Sequence, residues 1–146
     1  MCRAEYEEAF DLVWEVFLKY EAPDYTQDGV DEFFQSIHDE DYISMLSVYG
    51  AFIENKLVGV IATRTNGSHI ALFFVNGRYH KQGIGRRLFE TVKSECKEKY
   101  MTVNSSPYAI SIYRKLGFLD TDVQQVVNGL KFTPMRYAMP LGGAKN

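Results

Sequence analysis

Cysteine and long apolar runs are both scarce in this sequence. The 146 residues include only two cysteines, Cys2 and Cys96, and neither has another Cys or a His at metal-ligand spacing. We therefore expect neither a disulfide framework nor a metal site. No apolar run approaches the ~20 residues that a bilayer span requires, so a membrane protein is not expected. The polar, acidic N-terminus lacks the features of a signal peptide, which favours a cytoplasmic location.

Aromatic residues, in contrast, are plentiful. Ten Phe, ten Tyr and one Trp supply enough apolar surface to exclude disorder for the body of the chain. A chain of this length most often forms one domain. We expect a single domain over residues 1–141 and a flexible tail over residues 142–146.

Basic side chains are rare in the first part of the chain. Residues 1–56 carry fourteen acidic and three basic side chains, whereas residues 57–146 carry five acidic and thirteen basic ones. This division predicts an anionic ligand for the second part and a cationic one for the first. Attraction between the two parts explains the division equally well. The net charge of −3 argues against nucleic-acid binding.

Hydrophobic spacing predicts the order of the helices and strands. The helices expected from a period of 3.6 cover about residues 4–20, 84–99 and 108–116, with one more after the polar opening at 24–28. The strands expected from β-rich runs cover residues 48–53, 57–63, 70–75, 101–104, 123–127 and 130–139. Because the run at 70–75 is apolar on both faces, we expect it to be a central strand covered by helices. This order indicates an α/β fold with a mixed sheet.

A glycine-containing loop leads from the expected central strand into a basic helix. Gly83 and Gly85 allow a ligand to approach the backbone closely, and the first helical turn offers free N–H groups to an anion. Positive charge is added by Arg78, Lys81, Arg86 and Arg87. We therefore expect a phosphate or pyrophosphate here. Two other phosphate loops do not fit, because Leu88 stands where the dinucleotide fingerprint needs a small residue and the Gly-Lys-Ser/Thr of triphosphate loops is absent.

The loop sequence His80-Lys81-Gln82-Gly83-Ile84-Gly85 resembles the Gln/Arg-x-x-Gly-x-Gly/Ala loop of the GNAT superfamily of acetyl-CoA-dependent N-acetyltransferases. It departs from that pattern only at His80. A second family signature follows in order, Val-Asn-Ser-Ser-Pro-Tyr-Ala at 103–109 and Ile-Tyr-Arg-Lys-Leu-Gly-Phe at 112–118. The resemblance covers about residues 45–137. It implies a mixed, mostly antiparallel sheet that is flanked by helices and splayed at its central parallel strand pair.

The resemblance also implies an activity, the transfer of an acetyl group from acetyl-CoA to a primary amine of a small molecule or peptide by direct attack in a ternary complex. The cofactor contacts that it implies are Phe74, Val75, His80, Lys81, Gln82, Gly83, Ile84, Gly85, Arg86, Asn104 and Tyr113. Tyr113 would lie close to the thioester sulfur and act as the general acid. Its site must assist, because a phenol with an ordinary pKa of ~10 is a weaker acid than a thiol at ~8.5.

The sequence does not identify the general base. The expected central strand carries no carboxylate, although several relatives place a glutamate there. The candidates in this sequence are His69, Glu21, Asp24, Glu54 or a chain of water molecules. Cys96 is a chemically feasible acetyl carrier, but its spacing with Leu88 and Val92 predicts a small core residue.

The resemblance places the acceptor between the first two helices and the last hairpin. The residues concerned are Trp14, Tyr20, Tyr25, Phe33, Phe34 and residues 131–135. An acidic and aromatic first part suits a cationic amine, although the same aromatics fit a core equally well. Because the strand carboxylate is missing, a second function is also open, a CoA-binding sensor or protein-interaction module without turnover. Exposed hairpin edges also allow a homodimer.

Overall fold

The computed structural model describes residues 5–80 and 82–140. Its helices are α1 (Tyr6–Tyr20), α2 (Gln27–Ser36), α3 (Glu40–Ser44), α4 (Ile84–Glu95) and α5 (Ile110–Leu116), with short 3-10 turns at Ala22–Asp24 and Gly77–Tyr79. Its strands are β1 (Ser47–Ile53), β2 (Lys56–Arg64), β3 (His69–Val75), β4 (Tyr100–Ser105), β5 (Leu119–Asp120), β6 (Gln125–Val127) and β7 (Leu130–Ala138). The expected tail at 142–146 lies outside the described residues, and the single domain over 1–141 stays a prediction.

Two helical details differ from the sequence-based expectation. The fourth helix ends at Glu95 rather than near residue 99, because Cys96 adopts an extended conformation and turns the chain toward β4. The short helix α3 was not expected, since five residues are too few to show a hydrophobic period. Its start is fixed by Asp39, whose carboxylate accepts a hydrogen bond of 2.8 Å from the backbone N–H of Asp41.

The strands form one sheet in the order β1-β2-β3-β4-β7-β5, and β6 pairs with β7. Among the described strands, only β3 and β4 run parallel. The expected mixed, mostly antiparallel sheet is therefore confirmed. In the described part of the chain, no helix is long and apolar enough to cross a membrane.

The parallel pair is splayed. The described residues of β3 and β4 pair only at His69 with Thr102 and at Ile70 with Val103. Beyond these pairs, each strand pairs only with its neighbour on the other side. β3 remains paired with β2 as far as Val75, and β4 remains paired with β7 as far as Ser105. The two strands therefore diverge and open a gap in the middle of the sheet, as the resemblance implied.

Helices cover both faces of the sheet. On one face α1, α2 and α3 enclose an apolar cluster whose fully buried members include Ala9, Val13, Phe17 and Val60. On the other face α4 and α5 enclose a second cluster that includes Phe89, Val92, Cys96, Phe118 and Met135. Leu72 and Phe74 belong to the first cluster, whereas Phe73 and Val75 pack against the second. The strand at 69–75 is thus apolar on both faces, as predicted for a central strand.

The turn between β6 and β7 packs against the start of α2. A Cβ atom at Gly29 would collide with the backbone carbonyl of Gly129. Gly129 has a φ of +80°, and a Cβ atom there would lie 2.9 Å from Thr26 Oγ1. Nearby, the Tyr25 hydroxyl donates a 3.2 Å hydrogen bond to the carbonyl of Lys131. These contacts form a bridge between α2 and the last hairpin, called the glycine bridge below.

We predict that Gly29→Ala lowers the free energy of unfolding by about 1–3 kcal/mol, because the added methyl group forces two backbones apart. Urea denaturation measures this change. Gly85→Ala is the control, since its Cβ would lie at an ordinary 3.5 Å from Phe73 Cζ and alanine favours a helix. Equal destabilisation by the two substitutions would contradict the glycine bridge.

Candidate active site

Two clefts occupy the gap in the sheet. The first, called the loop cleft, measures about 420 Å³, and its lining includes Val75, His80, Gly83, Gly85 and Arg86. The second, called the hairpin cleft, measures about 310 Å³, and its lining includes Tyr25, Glu32, Phe33, Asn104 and Lys131. Both are lined by Glu21, Phe73, Phe74, Ala109 and Tyr113. The clefts therefore meet at a carboxyl group and a phenol.

The start of α4 forms one wall of the loop cleft. Gly83 precedes the helix with φ +80° and ψ 2°, a left-handed conformation that glycine adopts without strain. The carbonyl of Gly83 accepts the first helical hydrogen bond from Arg87 N at 3.0 Å. The N–H groups of the first turn have no acceptor within the helix, and the helix dipole adds to their positive potential. With the nearby Arg86 guanidinium, this wall is suited to a phosphate group.

Most of the residues expected to contact the cofactor lie together. Phe74, Val75, His80, Gly83, Gly85, Arg86 and Tyr113 line the loop cleft. Gln82 is exposed and donates a 3.3 Å hydrogen bond to the carbonyl of Arg78, while Ile84 packs against the apolar cluster under α4. Asn104 lines the hairpin cleft, on the opposite side of the gap. Lys81 lies outside the described residues.

His80, the departure from the family loop, contacts the end of the central strand. Its Nε2 lies 2.8 Å from the carbonyl oxygen of Val75, so Nε2 carries the proton, because a carbonyl only accepts. Its ring centre is 5.1 Å from that of Tyr20. The loop is thus tied to β3 and α1, and the Val75 carbonyl already has a partner within the chain.

Glu21 stands immediately after α1, where its backbone N–H donates to the carbonyl of Phe17 at 2.9 Å. Burial raises the pKa of its carboxyl group to about 7; a hydrogen bond with Ser106 opposes this shift and the charge of Asp24 adds to it. Near neutral pH, Glu21 is therefore divided between carboxylate and acid. A group in this state is suited to general base catalysis.

The other candidate bases lie elsewhere. His69 is at the opposite end of β3, with Nδ1 2.8 Å from Thr102 Oγ1, and burial and the charge of Arg64 lower its pKa to about 4. Asp24 and Glu54 are exposed. Of these four described side chains, only Glu21 lines the two clefts. The sequence could not single out Glu21, because burial of a charged side chain after a helix leaves no local pattern.

Tyr113 lies on α5 with 5% of its surface exposed. Its ring contacts those of Phe73 and Phe118, with centres 5.9 Å and 5.4 Å away. Burial, and after it the charge of Glu21, raise the pKa of the phenol, so it keeps its proton at all ordinary pH values. Tyr113 therefore carries a proton where the two clefts meet, but its raised pKa makes it a weaker acid than an ordinary phenol, so these described surroundings do not supply the assistance expected above.

The aromatics expected around the acceptor divide into two groups. Tyr25 and Phe33 line the hairpin cleft, together with Lys131 and Phe132, and Tyr20 lines the loop cleft. Trp14 and Phe34 line neither cleft in the described part of the chain and pack against each other, with ring centres 5.0 Å apart. Met135 is a core residue.

The sequence analysis assigned no role to several residues of the hairpin cleft, among them Glu32, Tyr42 and Ser106. Ser106 had a usable signal, because Ser-Pro before a helical pattern marks a helix start whose side chain faces backbone N–H groups. Glu32 and Tyr42 have none, because the sequence does not show which face of a short helix meets the gap.

The fold is similar to several solved structures. One is a GCN5-related N-acetyltransferase from Rhodopseudomonas palustris, with TM-score 0.81 and 17% identity over 94% of this chain and 92% of that one. Another is the PaiA N-acetyltransferase from Thermoplasma acidophilum in complex with coenzyme A, with TM-score 0.76 and 17% identity over 94% and 95%. An aminoglycoside 6'-N-acetyltransferase in complex with coenzyme A has TM-score 0.59 and 13% identity over 89% and 90%.

Sequence comparison points the same way. No curated protein matches the chain significantly. A family model described as an acetyltransferase (GNAT) domain matches residues 21–139. This match covers most of the chain and includes the loop at 80–85, Glu21 and Tyr113, so the protein belongs to the GNAT acetyltransferase family.

Proposed function

We propose that the protein transfers an acetyl group from acetyl-CoA to a primary amine of a small molecule by direct attack in a ternary complex. The observation that carries this proposal is the meeting of the loop cleft and the hairpin cleft at Glu21 and Tyr113. Direct transfer needs two substrate sites that share one reacting centre. Two of the similar structures contain coenzyme A, which supports this donor.

The loop cleft takes acetyl-CoA in this proposal. The pyrophosphate lies against the start of α4 and Arg86, with further contacts from Lys81 and Gln82 as the resemblance implies. The pantetheine arm enters the gap along Phe74 and Val75, where β3 has lost its pairing with β4. A backbone N–H on this edge then stabilises the oxyanion formed during attack. Asn104, on the other side of the gap, contacts the arm close to the thioester.

The hairpin cleft takes the acceptor. Its carboxyl groups, Glu21 and Glu32, and its rings, Tyr25 and Phe33, favour a cationic amine. The glycine bridge closes the side between α2 and the last hairpin, which favours a compact acceptor over an extended peptide. The acidic first part of the chain adds long-range attraction for a cation.

Each proton has a defined path in the reaction. The Glu21 carboxylate takes a proton from the acceptor ammonium, and the free amine attacks the thioester carbon to form the C–N bond. The C–S bond then breaks, and Tyr113 donates its phenolic proton to the departing sulfur. The nitrogen loses its excess proton, and an equivalent proton restores Tyr113 through solvent. Glu21 releases the proton that it took from the ammonium to solvent, which regenerates the carboxylate for the next cycle.

The charge of Glu21 links the two proton transfers. Burial is the main cause of the raised pKa of Tyr113, and the Glu21 carboxylate adds to it; only the part that comes from Glu21 ends when Glu21 becomes neutral. Proton uptake by Glu21 thus makes Tyr113 a stronger acid before the sulfur departs. In this proposal Glu21 takes the place of the carboxylate that β3 lacks. The lack of that carboxylate was the reason to consider a CoA-binding module without turnover.

We predict that Glu21→Gln and Tyr113→Phe each lower kcat/KM by about 10²-fold or more, because each removes a proton transfer. Thiol release with a panel of primary amines measures turnover, and calorimetry measures acetyl-CoA binding, which should change little. Glu54→Gln is the control, as it removes an exposed candidate carboxylate that lines neither cleft. Unchanged turnover in both variants would contradict the assigned roles. Acetyl-CoA binding by the wild type without turnover of any amine would favour the sensor or interaction module.

We predict that kcat/KM of the wild type falls as pH drops below about 7, because protonation of Glu21 removes the base. Rate measurements between pH 5.5 and pH 9 on the same amine test this dependence. Glu21→Gln should lack the acidic limb, and His69→Gln should retain it. Loss of the limb in His69→Gln would show that the base was misassigned.

We predict that Glu21→Gln is more stable than the wild type at pH 8 by about 3–4 kcal/mol, the free energy that corresponds to the pKa difference of Glu21 between the folded and unfolded states. The folded pKa of about 7 lies above the unfolded value of ~4.3, so the folded state binds more protons between these values. The unfolding free energy of the wild type therefore falls as pH rises through this range, whereas glutamine stays neutral. Urea denaturation at pH 4 and pH 8 measures the difference, which should nearly vanish at pH 4.

A further inference from the structure

Three neighbouring rings line the loop cleft and join the two sides of the gap. They belong to Tyr20 at the end of α1, His80 in the loop after β3 and Tyr108 in the turn after β4. The ring centre of Tyr20 lies 5.1 Å from that of His80 and 5.3 Å from that of Tyr108. Tyr20 is therefore the middle ring of this set, called the ring row below.

The ring row crosses the gap where the two strands no longer pair. At one end, His80 Nε2 donates its 2.8 Å hydrogen bond to the carbonyl of Val75, the last residue of β3. At the other end, Tyr108 follows Ser105, the last residue of β4, by three positions. Tyr20 thus connects the segments that leave the two separated strands.

A glycine leaves the space that the middle ring occupies. A Cβ atom at Gly77 would collide with Tyr20 Oη and lie 2.9 Å from Tyr20 Cζ. Gly77 is not one of the glycines with a positive φ, so its backbone conformation does not require glycine. The close approach of Tyr20 does. The turn at Gly77–Tyr79, which leads into the loop, is therefore packed directly against the end of α1.

We propose that Tyr20 is a donor-binding residue, which closes the loop cleft around the pantetheine arm of acetyl-CoA together with His80 and Tyr108. The proposal rests on the function proposed above. The resemblance implied a place for Tyr20 beside the acceptor, but of the two clefts described here Tyr20 lines only the loop cleft. The arm carries methyl and methylene groups, which gain free energy when they are buried against aromatic rings.

Calorimetric titration with acetyl-CoA tests this role directly. Tyr20→Ala should raise the Kd by about tenfold, because the middle ring and its contacts are lost. Tyr20→Phe keeps the ring and should bind within about twofold of the wild type. Tyr100→Ala is the matched control, since the Tyr100 ring packs against Arg136 and lines neither cleft, and its Kd should equal that of the wild type.

Gly77→Ala gives a second test that leaves Tyr20 in the chain. Gly77 lines neither cleft, but the added methyl group must displace the Tyr20 ring. This variant should also raise the Kd by about tenfold. The double variant Gly77→Ala/Tyr20→Ala should bind no more weakly than Tyr20→Ala, because the collision no longer occurs. A Kd unchanged from the wild type in folded Tyr20→Ala and folded Gly77→Ala would overturn the proposal.

Thiol release with the fastest-reacting amine of the panel separates the donor side from the acceptor side. Tyr20→Ala should raise the KM for acetyl-CoA and leave the KM for the amine unchanged. The reverse pattern would overturn the proposal and return Tyr20 to the acceptor site. Wild-type protein that binds acetyl-CoA without turnover of any amine would contradict the proposed function alone, because the Kd values still decide the role of Tyr20. Wild-type protein that does not bind acetyl-CoA would overturn both.

Discussion

The separation of β3 from β4 is the constraint on which the rest of the structure depends. A strand in the middle of a sheet normally has hydrogen-bonding partners on both sides, and backbone groups without partners are costly when buried. Here β3 keeps β2 and β4 keeps β7, so the sheet stays intact around a gap. That gap leaves polar backbone edges beside apolar side chains, an environment that suits a ligand with amide groups.

Burial at the junction determines the chemistry of the proposed site. The same loss of solvent raises the pKa values of Glu21 and Tyr113, but with different consequences. The carboxyl group moves into the neutral range and becomes an effective base, whereas the phenol keeps its proton. A partly charged carboxyl group in a buried position destabilises the fold above neutral pH. Stability is thus given up where the proposed reaction needs a base.

Local patterns made much of the fold predictable. The loop from His80 to Gly85 could be interpreted because the proposed phosphate site depends on consecutive residues, with a left-handed glycine before a helix. The central strand was predictable because both its faces are apolar. The short helix α3 and the end of α4 at Glu95 were missed, since a cap and a turn determine them rather than periodicity. Glu21 could only be one candidate among four, because its burial depends on α5, the β4–α5 turn and the segment before α2, which are distant in sequence.

Calorimetric titration of the protein with acetyl-CoA, with NADH as the control ligand, tests the central claim most directly. The claim is that the gap between β3 and β4 is built to receive the acetyl donor. We expect saturable binding of acetyl-CoA and none of NADH, because the loop lacks the dinucleotide fingerprint. Absence of acetyl-CoA binding by folded protein at near-millimolar ligand would contradict the account.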